Sequence, residues 1–203
     1  MAQSQQLENC RVAILATDGF EESELFEPKE ALEKAGAQVQ VVSPHSGPIK
    51  AWKKTDWGKT LNVDLLLDKA KAEDFDALVL PGGVMNPDQL RMNQKAVEFV
   101  KNIAQAGKPI AAICHGPWTL IEAGVVVGRQ MTSWPSLKTD LLNAGAKWMD
   151  QEVVADNGLV TSRKPDDIPA FNDKMIEEFA EGRHEPVQRQ RASKDYRVEG
   201  SFH

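Results

Sequence analysis

Cysteine is nearly absent from this chain: Cys10 and Cys114 are the only two among 203 residues. That count excludes a disulfide scaffold and a cysteine-rich zinc site. An excess of basic charge is absent too. Lys and Arg number 24 against 30 Asp and Glu, for a formal net charge of −6, so the basic footprint of non-specific nucleic-acid binding is missing. No apolar run approaches the roughly 18 residues of a membrane span. The opening ten residues have neither the basic start nor the apolar centre of a signal peptide. The glycine fingerprints G-x-G-x-x-G and G-x-x-x-x-G-K-[ST] do not occur, which removes the usual support for dinucleotide and P-loop readings. The expectation is a cytoplasmic protein with free thiols, no cofactor, no metal, and neither nucleic acid nor membrane as partner.

What is present reads as one globular domain. Hydrophobic residues make up 41% and charged residues 27% of the chain, enough to bury a core without staples. Buried strands are predicted at residues 12–16, 38–43, 76–80 and 109–113. Helices are predicted at 22–35 (with a kink or restart at Pro28), 87–106 (with Asn86 as N-cap), 116–123, 136–144 and 166–180. Asp156-Asn157-Gly158 marks a hairpin. Residues 52–59 read as a loop or small excursion. Strands apolar on both faces and separated by helices mean a mainly parallel sheet covered on both sides, a three-layer α/β sandwich. Residues 1–9 read as an N-terminal extension, 10–181 as the α/β domain, and 182–203 as a polar tail expected to be extended or disordered.

In such a sheet ligands bind beyond the carboxyl ends of the strands. Three loops fall there: 17–21, 81–88 and 114–117. The first carries acids where a phosphate site would carry glycines. Glu21 and Glu22 suit either the helix macrodipole or a site, whereas Glu24, nearer the apolar residues, is the candidate buried acid. The third loop places Cys114 between a buried strand and a helix, with Gly116 permitting a sharp turn. This is the logic of a nucleophile elbow. A helix N-terminus behind the sulfur is expected to lower its pKa from about 8.5 toward about 3.5–7.5, and the adjacent His115 can act as base. The alternative is that Cys114 is simply a small buried hydrophobe. In the second loop, Gly82 and Gly83 let backbone N–H groups approach a reacting carbonyl, as an oxyanion hole requires. Cys10 has no acid or histidine beside it and reads as structural.

The blocks Phe20-Glu21-Glu22-Ser23-Glu24-Leu25, residues 75–83 ending in Pro81-Gly82-Gly83, and Ala112-Ile113-Cys114-His115-Gly116-Pro117 resemble the PfpI family of intracellular cysteine proteases and deglycases. That family lies within the class I glutamine-amidotransferase-like superfamily. Thr132-Ser133-Trp134-Pro135 and Thr161-Ser162-Arg163 are similar to it as well. The resemblance implies a flavodoxin-like fold with Cys114 as nucleophile, His115 as its base, and Glu24 as a protonated acid beside the sulfur. Gly82, Gly83 and the backbone of His115 would supply oxyanion donors. In proteolytic members an acid from a neighbouring subunit orients the histidine. The matching residue here is Asp88, where those members have glutamate, on a loop one residue longer. A shorter acid on a longer loop predicts weak peptide cleavage. Glutaminase chemistry needs a downstream His-x-Glu, whereas the histidines available here are His184, in the tail with different spacing, and His203. The expected functions, in order, are a stress-protective cysteine hydrolase of small aldehydes or glycated adducts, a peptidase, and a non-catalytic redox sensor or chaperone working through Cys114 oxidation. A homodimer or higher homo-oligomer is implied.

Overall fold

The computed structural model describes residues 6–185. In chain order its strands are β1 (Arg11–Leu15), β2 (Phe20–Glu21), β3 (Gln38–Ser43), β4 (Ile49–Lys53), β5 (Asp56–Leu61), β6 (Leu65–Leu66), β7 (Ala77–Leu80), β8 (Ile110–Ile113), β9 (Gln130–Met131), β10 (Lys147–Trp148), β11 (Val153–Asp156) and β12 (Leu159–Ser162). The helices are α1 (Glu22–Lys34), α2 (Met85–Met92), α3 (Gln94–Gln105), α4 (Pro117–Glu122), α5 (Lys138–Asn143) and α6 (Ile168–Glu181).

Seven strands form the central sheet in the order β11-β12-β8-β7-β1-β3-β6. All neighbours are parallel except the edge pair β11–β12, joined by the predicted hairpin with both Asn157 and Gly158 at positive φ. Alternate residues of β1 enter opposite cores. Val12 and Ile14 pack with Leu25 and Leu32 of α1 and Phe171 and Met175 of α6. Ala13 and Leu15 pack on the other side with Leu90 of α2, Phe99 and Ile103 of α3, and Leu120 of α4. The expected three-layer α/β fold with a mainly parallel sheet is the observed one. The chain leaves β1 toward β3 and β6 on one side, then returns to β7, β8 and β12 on the other. The crevice between the ends of β1 and β7 is therefore the topological switch point.

Several local expectations are corrected. Helix α1 runs through Pro28 without restarting. Pro28 is buried there, and packing of that face outweighs the lost helical hydrogen bond. The predicted 87–106 helix is two helices broken at Asn93, whose side chain accepts from the N–H groups of Lys95 and Ala96 and caps α3. Asn86 is not a cap but a buried residue within α2. Residues 52–59 belong to the β4–β5 hairpin, which turns at Lys54 with φ 56°. Leu7 is 1% exposed and its N–H donates to Ala35, so packing begins ahead of residue 10. Of the tail, residues 182–185 pack beside Gly107 and the β11–β12 turn, with His184 N–H donating to the Gly107 carbonyl and the Glu185 carbonyl accepting from Asn157 Nδ2. Residues 186–203, including His203, lie outside the described residues. Among the described residues no helix is long and apolar enough to cross a membrane.

Asn93 satisfies two N–H groups at the start of an amphipathic helix. Asn93→Ala is expected to lower folding stability by about 1 kcal/mol, read as a lower urea midpoint at unchanged slope.

Candidate active site

Cys114 follows directly on β8 with φ 61°, a left-handed conformation that side chains disfavour. The turn is held on every side by backbone. Cys114 N–H donates to the Ser162 carbonyl at the end of β12, Trp134 N–H donates to the Cys114 carbonyl, and Gly116 N–H donates to Ile113. A Cβ at Gly116 would lie 2.5 Å from the Leu80 carbonyl oxygen. Glycine at 116 is thus a packing requirement between the β7 and β8 ends, as the elbow reading anticipated.

Glu24, in the first turn of α1, is fully buried. Its Oε2 accepts the Gly82 N–H at 3.0 Å. Its Oε1 has no partner in hydrogen-bond geometry, and the carboxyl faces the Cys114 thiol closely enough for each to perturb the other. A Cβ on Gly82 would collide with Glu24 Oε2 and come within 2.6 Å of Cys114 Cβ. The first glycine of the pair exists so that acid and thiol can meet. Burial, the largest cause, pushes the Glu24 carboxyl up to about 8, so it is protonated at neutral pH.

His115 is buried and its Nδ1 lies 3.2 Å from Cys114 Sγ. Desolvation pushes its pKa down to about 4, so the imidazole is neutral at physiological pH. Its ring sits between two tryptophans. Trp118 presents an edge at 5.0 Å and Trp134 stacks at 6.0 Å.

Burial works against the lowered thiol pKa expected of the elbow. Burial pushes Cys114 well above the usual thiol range, and the Glu24 charge adds to this when ionised. The N–H groups of Gly83 and His115 act in the opposite direction. Protonation of Glu24 removes the charge contribution and leaves burial against two N–H donors. Helix α4 has only six residues, so its macrodipole is small. The resting sulfur is a thiol.

The remaining expected site residues separate. Gly82 N–H is occupied by Glu24; the N–H groups of Gly83 and His115 act on the thiol, and Gly83 acts on the Glu24 carboxyl as well. Asp88 is not on a loop but in the first turn of α2. There Asp88 Oδ1 accepts from Arg91 at 2.7 and 3.0 Å. The Arg91 guanidinium lies 4.5 Å over Trp118, so Asp88 reaches His115 within its own chain only through Arg91 and Trp118. Glu22 serves the β4–β5 hairpin instead of the site, pairing with Lys53 at 2.9 Å and accepting Lys59 N–H at 2.7 Å. His184 contacts Gly107, ahead of β8 and at the opposite end of the strand from Cys114, away from any glutaminase position. Asn86, Trp118 and the Ser162 carbonyl were not flagged by the sequence as site components. Trp118 lay one turn from the cysteine, and a ring at that spacing was the available signal.

Fold and site together define a three-layer α/β protein with a cysteine elbow beside the switch point of its sheet. The chain belongs to the DJ-1/PfpI family, whose sequence pattern matches residues 10–178, as its motif blocks implied. It is 46% identical over 166 residues to a deglycase of Pyrococcus abyssi, covering 82% of this chain and 97% of the relative. It is 44% identical over 167 residues to protein/nucleic acid deglycase 2 of Escherichia coli, covering 82% and 95%. The crystal structure of Drosophila melanogaster DJ-1beta matches with a TM-score of 0.77 at 31% identity, covering 85% of this chain and 91% of that one.

The raised pKa of Glu24 carries a stability consequence. An acid whose pKa is higher folded than unfolded binds more protons in the folded state. Its contribution is complete below about 4.5 and is lost as pH rises toward 8. Glu24→Gln removes that dependence. The variant is expected to gain on wild type as pH rises from about 5 to about 8, by about 1.4 kcal/mol for each pH unit crossed, measured by urea unfolding across that range.

Proposed function

We propose that the protein is a stress-protective, cysteine-dependent hydrolase of the PfpI type acting on small aldehydes or glycated adducts. The observation that carries this reading is the Cys114 sulfur 3.2 Å from a neutral His115 imidazole, under two backbone N–H groups and against a protonated carboxyl. As a carbonyl carbon approaches, His115 Nδ1 takes the thiol proton and sulfur forms the S–C bond. The displaced π pair goes to the carbonyl oxygen, which accepts from the Gly83 and His115 N–H groups. A proton from Glu24 or the imidazolium then completes a hemithioacetal; in an α-oxoaldehyde such as methylglyoxal its C1 proton shifts through an enediol to the neighbouring carbonyl carbon, giving a thioester that water hydrolyses to a 2-hydroxy acid and the free thiol. No amine has to leave in the first step, so the imidazole need not be locked in one orientation.

Peptide cleavage makes that stricter demand, because the histidine must protonate a poor leaving group. Among the described residues of its own chain no carboxylate contacts His115, and Asp88 is engaged by Arg91. This favours aldehydes over peptides. It also supports a homo-oligomer, at least a dimer, in which the site sits near a subunit boundary and Asp88 faces a partner. A reduced thiol suits a cytoplasmic setting.

Methylglyoxal turnover by wild type is expected, with Cys114→Ser lowering it by roughly a thousandfold or more. Asp88→Ala should change aldehyde turnover little. Robust cleavage of an unstructured peptide that Asp88→Ala abolishes would make the protein a peptidase. Cys114 oxidation with neither substrate consumed would make it a sensor. Light scattering is expected to give a multiple of the 22.4 kDa protomer mass; a monomer at micromolar concentration would remove the boundary site.

A further inference from the structure

We infer that Asn86 is the positioning residue of the site, a single side chain that aims the N–H of Gly82 at Glu24 and the N–H of Gly83 at Cys114. Asn86 is fully buried in α2, and its side chain bonds to backbone in two of the loops that form the site. Its Oδ1 accepts the Thr17 N–H at 2.8 Å, and its Nδ2 donates to the carbonyls of Pro81 at 3.0 Å and Gly82 at 3.2 Å. The amide orientation is fixed by chemistry, since an N–H only donates and a carbonyl only accepts.

The consequence follows from peptide geometry. In a planar trans peptide the C=O and the N–H of the same unit point in opposite directions. Holding the Pro81 carbonyl toward Asn86 turns the Gly82 N–H away from it, onto Glu24 Oε2 at 3.0 Å. Holding the Gly82 carbonyl, which also accepts the Glu21 N–H at 3.4 Å, turns the Gly83 N–H toward the sulfur and the carboxyl. Glycines cannot hold these orientations by themselves, because their backbone is the least restricted of any residue. Aspartate lacks the two donors at neutral charge, and serine reaches at most one carbonyl. Only a primary amide at this position meets one donor and two acceptors at once.

The inference rests on Cys114 being the reactive residue. Its test needs no substrate, so its failure and that of the aldehyde reading are distinguishable. Iodoacetamide labelling of each cysteine is followed by mass spectrometry against pH in wild type, Asn86→Ala and Asn86→Leu. The leucine side chain keeps the branching and bulk of asparagine without charge or donors, and it carries the test if the alanine variant unfolds. Loss of one N–H donor to the sulfur is expected to slow Cys114 labelling at pH 8 about tenfold and to move its midpoint up by about one pH unit. Cys10 lies away from the turn and should label at the wild-type rate. A merely structural role has the opposite sign, because loosening the turn exposes a buried thiol and speeds its labelling. Cys114 labelling that is unchanged or faster in Asn86→Leu overturns the inference.

Discussion

The left-handed backbone at Cys114 is the constraint on which the site depends. A side chain in that conformation costs about 1–3 kcal/mol and persists only where the surroundings determine it. Here the parallel ladder of β8 with β12 delivers the Ser162 carbonyl to the Cys114 N–H. The chain beyond β9 delivers the Trp134 N–H to the Cys114 carbonyl. Two glycines clear the space around the turn, Gly82 beside the thiol and Gly116 against the end of β7. Sheet order, strand length and missing side chains serve the same bend.

Burial then sets the protonation of everything the bend presents. Thiol, carboxyl and imidazole are each pushed toward their neutral forms by desolvation. A site assembled from three neutral groups avoids the cost of a buried charge while empty. It holds two transferable protons and one vacant lone pair within a few bonds of the sulfur. In the proposed reaction charge separates only when an electrophile gives the sulfur electrons somewhere to go, with the N–H groups of Gly83 and His115 beside the sulfur as the donors at hand.

The parts legible in the sequence are those written locally. Short continuous apolar runs separated by helical stretches pointed to the α/β class, and a cysteine between a buried strand and a glycine marked the elbow. Glu24 stood out because an acid among Phe20, Leu25 and Phe26 needs a reason. What escaped is tertiary. Asn86, followed by Pro87, has the look of a helix cap, and only the folded chain shows its amide turned inward to Thr17, Pro81 and Gly82. The β4–β5 hairpin hid because its exposed lysines and Trp57 blur the alternation of a strand. Asn93 broke a continuous apolar stripe without a change in periodicity. The rise in the thiol pKa was missed because an elbow motif records a nearby helix but not that helix's length or the depth of the sulfur.

The parallel connection between β8 and β12 also bears on synthesis. Ribosomes make Cys114 well before Ser162, and the strand that carries Ser162 is the one that closes the turn. Until β12 docks, the backbone at Cys114 lacks its carbonyl partner, the helix α6 face is unfilled and Glu24 has no sealed cavity to keep its proton. A nascent chain therefore carries an ordinary exposed cysteine, open to whatever oxidant or electrophile the cell contains, and acquires a sheltered thiol only when the domain closes as a unit. Vulnerability to modification is highest in the newest molecules, before the fold that governs the sulfur exists.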